Sequence, residues 1–119
     1  MEKPNLIVDK TFHFSLMAIE LCNVLDERKK FAISNQLLRS ATSIGANVRE
    51  AQNAESESDF VHKLKIAAKE AEETMYWLDL CLYSPTYPNT ENEKTELLSI
   101  IRIINKIIGT IKTKHQLAN

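Results

Sequence analysis

Glycine and proline are scarce, at two and three residues in a chain of 119. All-β sandwiches and barrels need turn residues at roughly every tenth position, so this chain favours a few long elements with few connections. Its two cysteines, Cys22 and Cys81, form no CxxC pair and no disulfide framework. Both fall inside helical apolar patterns, where a thiol behaves as a small hydrophobe, and a reduced, cytoplasmic setting is the expectation. Charge is balanced as well, with 15 Lys and Arg against 16 Asp and Glu, so the total gives no argument for nucleic acid. Long apolar runs are missing. Even LLSIIRIINKIIGTI is interrupted by Arg102, Asn105 and Lys106, and no membrane span is expected. The start, MEKPNLIVDKTF, lacks the basic opening and continuous apolar run of a signal peptide.

Catalytic and metal signatures are absent from the sequence too. His13, His62 and His115 are scattered, and no HExxH or Cys–His cluster exists. A di-iron bundle needs Glu-x-x-His on two helices, whereas only Asp59-x-x-His62 occurs. Gly45 and Gly109 are too few for a phosphate loop. The expectation is a protein that is not an enzyme and holds no metal or cofactor.

What the chain does have is helical periodicity. In QLLRSATSIGANVREAQ, Gln36 to Gln52, the residues Leu37, Ala41, Ile44, Val48 and Ala51 recur at steps of four, three, four and three. That is the seam of a helix packed lengthwise on other helices. Beside it Ser40, Ser43, Asn47 and Glu50 share one edge, about 100° round. Small polar groups there permit close approach and require hydrogen-bond partners. Gly45, in mid-helix, costs about 0.5–1 kcal/mol against alanine, and its expected return is close helix contact.

Four such stretches are predicted, over approximately residues 9–27, 35–54, 57–83 and 91–114. The first follows an entry segment at Pro4 and Asn5 and has Asp9 as its best N-cap candidate, with an earlier turn at Leu6 to Val8 left open. Like the third, it shows apolar or small residues on more than one face, more than a minimal four-helix core consumes. Phe12, Leu16 and Ile19 form one face and Phe14, Met17, Leu21 and Leu25 the other, which implies two neighbours. Asp26 to Lys30 supplies a turn. Ser34 is the expected cap of the second helix, with Ile33 and Leu38 closing a hydrophobic staple over it. Ser56 to Asp59 resembles a capping box with Asp in place of Glu, and from Phe60 to Cys81 the four–three stepping resumes. The prolines of SPTYPN stop that helix. Thr90 or Asn92 starts the fourth, where a run of isoleucines favours a strand by propensity but fails strict alternation. Lys114 to Asn119 are expected to fray. The reading is all-α: an antiparallel up-down-up-down four-helix bundle, one domain over residues 1–119.

Two segments, RSATSIGANVREA at Arg39 to Ala51 and AESESDFVHKLKIAAKEAEETMYWL at Ala54 to Leu78, carry a family resemblance. The chain resembles the four-helix-bundle family named for proteins encoded in intervening sequences of bacterial 23S ribosomal RNA genes. The matching positions include Arg39, Ser40, Ser43, Asn47, Glu50, Asp59, Lys63, Leu64, Glu70, Thr74, Tyr76, Trp77 and Leu78. A related branch serves as the accessory subunit of reverse transcriptases in diversity-generating retroelements. The resemblance to it implies a homopentamer that binds nucleic acid and the polymerase.

The candidate site residues fall into three groups. A polar network between the second and third helices is expected from Arg39, Ser40, Ser43, Asn47, Glu50, Lys63, Glu70 and Glu73, with Arg39 bonding Glu73 or Glu70 and Glu50 reaching Lys63. Paired carboxylates without a pocket do not define an acid and a base, so the network is read as fixing register. Tyr76, Trp77 and Tyr83 are candidates for an interface, Trp77 equally for a half-buried anchor. Local charge supplies the third group. Residues 57–83 carry six acids and three lysines, whereas Leu97 onward carries Arg102, Lys106, Lys112 and Lys114 with no acid. Those four are the candidates for RNA or DNA contact. The functional expectation is a homo-oligomer, a pentamer by resemblance, that binds nucleic acid; the alternative is a scaffold recruiting a partner protein such as a reverse transcriptase.

Overall fold

The computed structural model describes residues 5–118. Residues 1–4 and 119, which the expected domain includes and where Pro4 and Asn119 fall, lie outside the described residues. Four helices follow in order: α1 Leu6–Glu27, α2 Phe31–Ala51, α3 Glu57–Leu82 and α4 Glu91–Ala118. Each packs on its neighbour in sequence, and α1 closes the ring on α4. Direction follows from the side-chain pairs. Ser34 meets Cys22 at one end of the α1–α2 pair and Asn5 meets Gln52 at the other. Asp79 pairs with Lys94 near the start of α4, and Glu57 with Lys114 and His115 near its end. The bundle is all-α and runs up, down, up, down.

The core is the set of residues the four–three spacing selects. On α2 Leu37, Ala41, Ile44 and Val48 are completely buried, and Leu64, Ala67, Ala71, Leu78 and Cys81 of α3 face them. On α1 the buried row is Ile7, Thr11, Phe14, Ala18, Leu21, Cys22 and Leu25. This row reaches back past Asp9, so the helix starts earlier than expected. Asn5, and not Asp9, is the N-cap: its Oδ1 accepts from the Val8 N–H at 3.3 Å, and its Nδ2 donates to Gln52 Oε1 at 2.9 Å. A polar cap at Asn5 costs nothing in burial, whereas a cap at Asp9 would have left Ile7 outside the seam.

The start of α2 also differs. Ser34 lies inside the helix, buried, and there is no staple across it. Its hydroxyl donates to the Cys22 carbonyl at 3.3 Å, and the Cys22 thiol donates to the Ser34 carbonyl at 3.4 Å. The helix begins at Phe31 because α1 ends in a Schellman turn: the Lys30 N–H bonds the Leu25 carbonyl at 2.8 Å and the Lys29 N–H the Asp26 carbonyl at 2.9 Å. Such a turn reverses the chain in three residues and leaves no room for a longer loop. Lys29 takes the left-handed conformation, φ 59°, that glycine usually fills.

The cap at Ser56 holds. Its hydroxyl accepts from the Asp59 N–H at 3.0 Å, while the Asp59 carboxylate reaches the Glu55 N–H at 3.3 Å. At α4, Asn89 Oδ1 accepts from the Glu91 N–H at 2.9 Å, and the buried Thr90 hydroxyl donates to the Leu78 carbonyl at 2.7 Å, tying the loop to α3. Gly45 shows the close contact that its position suggests: a Cβ there would lie 3.3 Å from the Thr11 carbonyl oxygen.

Cys22 and Cys81 face the interior from α1 and α3, the diagonal pair, whose Cα atoms nowhere approach within 8 Å. A disulfide needs less than about 7 Å, so the two thiols cannot bridge in the folded chain. Burial pushes the Cys81 thiol up to about 11, which keeps it protonated and unreactive. Both thiols are therefore expected to react with an aromatic disulfide reagent at pH 8 no faster than the chain unfolds; prompt labelling of the native protein would contradict the packing. Lys29→Gly is expected to raise stability by about 0.5–1 kcal/mol, the relieved left-handed strain less the entropy glycine adds to the unfolded chain, measured as a higher denaturant midpoint with unchanged slope.

Candidate functional site

Three surfaces qualify, and helix geometry places each. The first is the outer seam between α2 and α3. Antiparallel packing sets Arg39 level with Glu70 and Glu73, and its guanidinium contacts both, at 3.3 Å to Glu70 and in a direct ion pair with Glu73. The Trp77 indole N–H donates to the same Glu73 carboxylate at 3.0 Å. One turn inward, the hydroxyls of Ser40 and Thr74 lie 2.8 Å apart in the core, and Thr74 also donates to the Glu70 carbonyl at 2.8 Å. The small polar edge of α2 therefore divides. Ser40 faces the core, while Ser43 and Asn47 are half-buried and satisfied within their own helix, by the carbonyls of Arg39 and Ser43.

The expected Glu50–Lys63 pair is not made. Glu50 has no cation within 4 Å among the described residues. It lies in the last turn of an α2 that stops at Ala51, three residues short of its expected end, and its side chain stays in solvent. The network lacks an enclosing pocket, and the Arg39 side chain is 50% exposed. Its chemistry is that of a register lock between two helices.

The second surface lies at the free end of the α3–α4 pair. There α4 runs about three turns past the start of α1, and none of its described residues beyond Ile104 is fully buried. An open cleft of about 620 Å³ results, with Val61, Ile108 and Ile111 as its floor and His62, Lys65, Lys112 and His115 at its rim. Glu57 is its one carboxylate, bonded by Lys114 and His115. These bonds, His115 first, hold the Glu57 carboxyl below its usual value. Of the four basic candidates, only Lys112 lines this cleft. Lys106 and Lys114 border a shallow groove over Gly109 on the outer side of α4, and Arg102 is exposed further up the helix.

The third surface is the outer face of α1. Phe12, Leu16 and Ile19 are 53%, 46% and 43% exposed. The two neighbours of α1 in the bundle, α2 and α4, are served mainly by its other side, so apart from Phe12 at the α2 edge this face has no partner among the described residues. Arg49 of α2 lies over the Phe12 ring, 5.8 Å from its centre, and Phe31 and Leu38 of α2 are exposed as well. Tyr76 and Tyr83, the sequence candidates for an interface, are 57% and 81% exposed, while Trp77 is half-buried against Glu73 with Tyr76 packed edge-on at 5.2 Å. Sequence reasoning identified the α1 stripe as apolar surface beyond what a minimal four-helix core consumes, without deciding which of the two faces of α1 turns outward. The signal it passed over is the set of acids Asp9, Glu20, Asp26 and Glu27 on the same side, which no core-facing surface would carry.

The Arg39–Glu73–Trp77 arrangement predicts coupled energetics. Arg39→Ala and Glu73→Ala should each destabilise by about 1 kcal/mol, and the double variant should cost less than their sum by about 0.5–1 kcal/mol. Strict additivity in denaturant unfolding would show the pair to be uncoupled.

The chain's residues 3–110 match the model of a family described as 23S rRNA-intervening sequence protein. It is similar to a crystal structure of a protein of unknown function from the S23 ribosomal protein family of Bacteroides thetaiotaomicron VPI-5482, with 40% identity and a TM-score of 0.82. The match covers 86% of this chain and 97% of that one. Among curated proteins, none matches.

Proposed function

We propose that this chain, which belongs to the 23S rRNA-intervening sequence protein family, is a non-enzymatic helical bundle of the cytoplasm that works as a homo-oligomer. The observation that carries this reading is the uncovered apolar face of α1. Phe12, Leu16 and Ile19 stand at steps of four and three, each about half exposed, with Phe31 and Leu38 of α2 exposed too. A monomer that kept this surface wet would forgo burial worth about 1 kcal/mol for each of these half-exposed side chains, and apolar surface of this kind marks an interaction site. The pentamer remains the subunit number that the resemblance to the retroelement accessory proteins suggests.

Nucleic-acid binding is the second reading, and the cleft at the free end of α3 and α4 favours it. Lys65, Lys112, His62 and His115 surround an apolar floor, a combination that suits a phosphate with an unstacked base beside it. Lys106 and Lys114 extend the positive surface round α4.

One experiment tests both readings. The purified protein is titrated against a labelled structured RNA at low and physiological salt, with its mass measured by light scattering under the same conditions. The expected outcome is a mass several times the 13.6 kDa of the chain and RNA binding that weakens steeply with salt. A monomer at every concentration overturns the homo-oligomer. An oligomer without RNA binding at low salt removes the second reading and leaves a scaffold for a protein partner.

A further inference from the structure

The uncovered face of α1 is acidic as well as apolar. Asp9, Glu20, Asp26 and Glu27 all lie on the side of the helix that carries Phe12, Leu16 and Ile19, and all are exposed. Helical spacing sets Asp9 and Glu27 within about 20° of Leu16, and Glu20 about 40° away. None of the four is within 4 Å of a cation among the described residues; the one lysine of α1, Lys10, points the other way and pairs with Glu96 of α4 at 3.0 Å.

The opposite charge sits on α4. Arg102 and Lys106, one turn apart, are exposed and make no ion pair among the described residues. From Leu97 onward the chain contains no acid. Beside these two, Ile103 and Ile107 are only partly buried, because α4 is running out beyond the end of α1. This stretch therefore combines basic groups with apolar surface, the complement of the α1 face.

Like-with-like pairing is opposed by charge, since the Arg49 guanidinium beside Phe12 stands against four acids on the α1 face. Two α1 faces brought together would set four carboxylates against four, and two α4 faces would set cation against cation, an arrangement that costs rather than gains on close approach. Only the unlike pairing buries the apolar stripe and neutralises both partners. We propose that the outer face of α1 in one copy docks on the outer face of α4, around Arg102 and Lys106, in the next. This rests on the homo-oligomer reading and supplies its geometry: a head-to-tail contact that uses different patches on the two copies, and so builds a ring where the rotation closes and not a two-fold dimer.

The test is a charge swap read by light scattering, with helical circular dichroism checking the fold of each variant. Glu20→Lys with Glu27→Lys on α1, and Arg102→Glu with Lys106→Glu on α4, change only exposed side chains. Each pair is expected to weaken assembly at least tenfold at low salt. Uniting all four substitutions in one chain sets lysines opposite glutamates at each contact again, and assembly is expected to return. Wild-type assembly should also weaken as salt rises. If each folded pair assembles like the wild type, or if the combined variant fails to recover, the docking scheme is overturned while the homo-oligomer stands. A wild-type monomer overturns both.

Discussion

The close approach of α2 to both its neighbours is the constraint on which the rest of the bundle depends. Its inner face is built from side chains small enough for backbones to come together: Ala41 and Ala51 in the seam, Gly45 against the Thr11 carbonyl, and Ser40 against Thr74. At that distance polar groups on the contact edge cannot remain in water, and the hydrogen bonds of Ser40, Thr74 and Ser34 are what make their burial tolerable. The Arg39–Glu70–Glu73–Trp77 set lies at the rim of the same contact, where screening limits its contribution but where its geometry selects one register of α3 on α2. Arg39, Ser40, Glu70, Thr74 and Trp77 are among the positions that carry the family resemblance, and the contacts of Arg39 with Glu70 and of Ser40 with Thr74 across the α2–α3 seam give that resemblance a physical content.

A ring of four helices with very short turns also dictates what is left uncovered. The turn between α1 and α2 is closed by the Schellman motif at Arg28 to Lys30, and α2 ends at Ala51, level with Asn5. Both helices are therefore shorter than the other pair: 22 and 21 residues against 26 and 28. Among the described residues, the excess length of α3 and α4 packs on neither α1 nor α2. It emerges as the apolar-floored cleft at Val61, Ile108 and Ile111 and as the basic outer side of α4. The apolar surface at the free end of α3 and α4 is thus a consequence of unequal helix lengths.

How much of this was readable from residues alone depends on the range of the interaction concerned. The seams of all four helices, the cap at Ser56, the tight approach at Gly45 and the Arg39 pairing with Glu70 and Glu73 follow from spacing within a helix plus one turn length. The caps at Asp9 and Ser34 were misread for one reason. Cap propensity was weighed before the buried row was followed to its end, and in both places burial won: Ile7 draws α1 back to Asn5, and Ser34 is turned inward to the Cys22 carbonyl. Glu50 and Lys63 stand at matching levels, but level does not determine the direction of a side chain at a helix terminus.

The face of α1 separates what periodicity reports from what it does not. Two apolar stripes on one helix imply two neighbours, and a four-helix ring does provide two; yet α2 and α4 subtend less than the full circumference of α1, and both are met by the row from Ile7 to Leu25 and its flanks. The stripe at Phe12, Leu16 and Ile19 is a third side. Periodicity reports that a surface is apolar, and only the crossing of charge with that surface reports where it faces, since Asp9, Glu20, Asp26 and Glu27 would be prohibitively costly in a core and are unremarkable at the edge of a contact between subunits. A helix whose acids share a side with its surplus apolar residues is therefore better assigned to an external partner than to the core of its own chain.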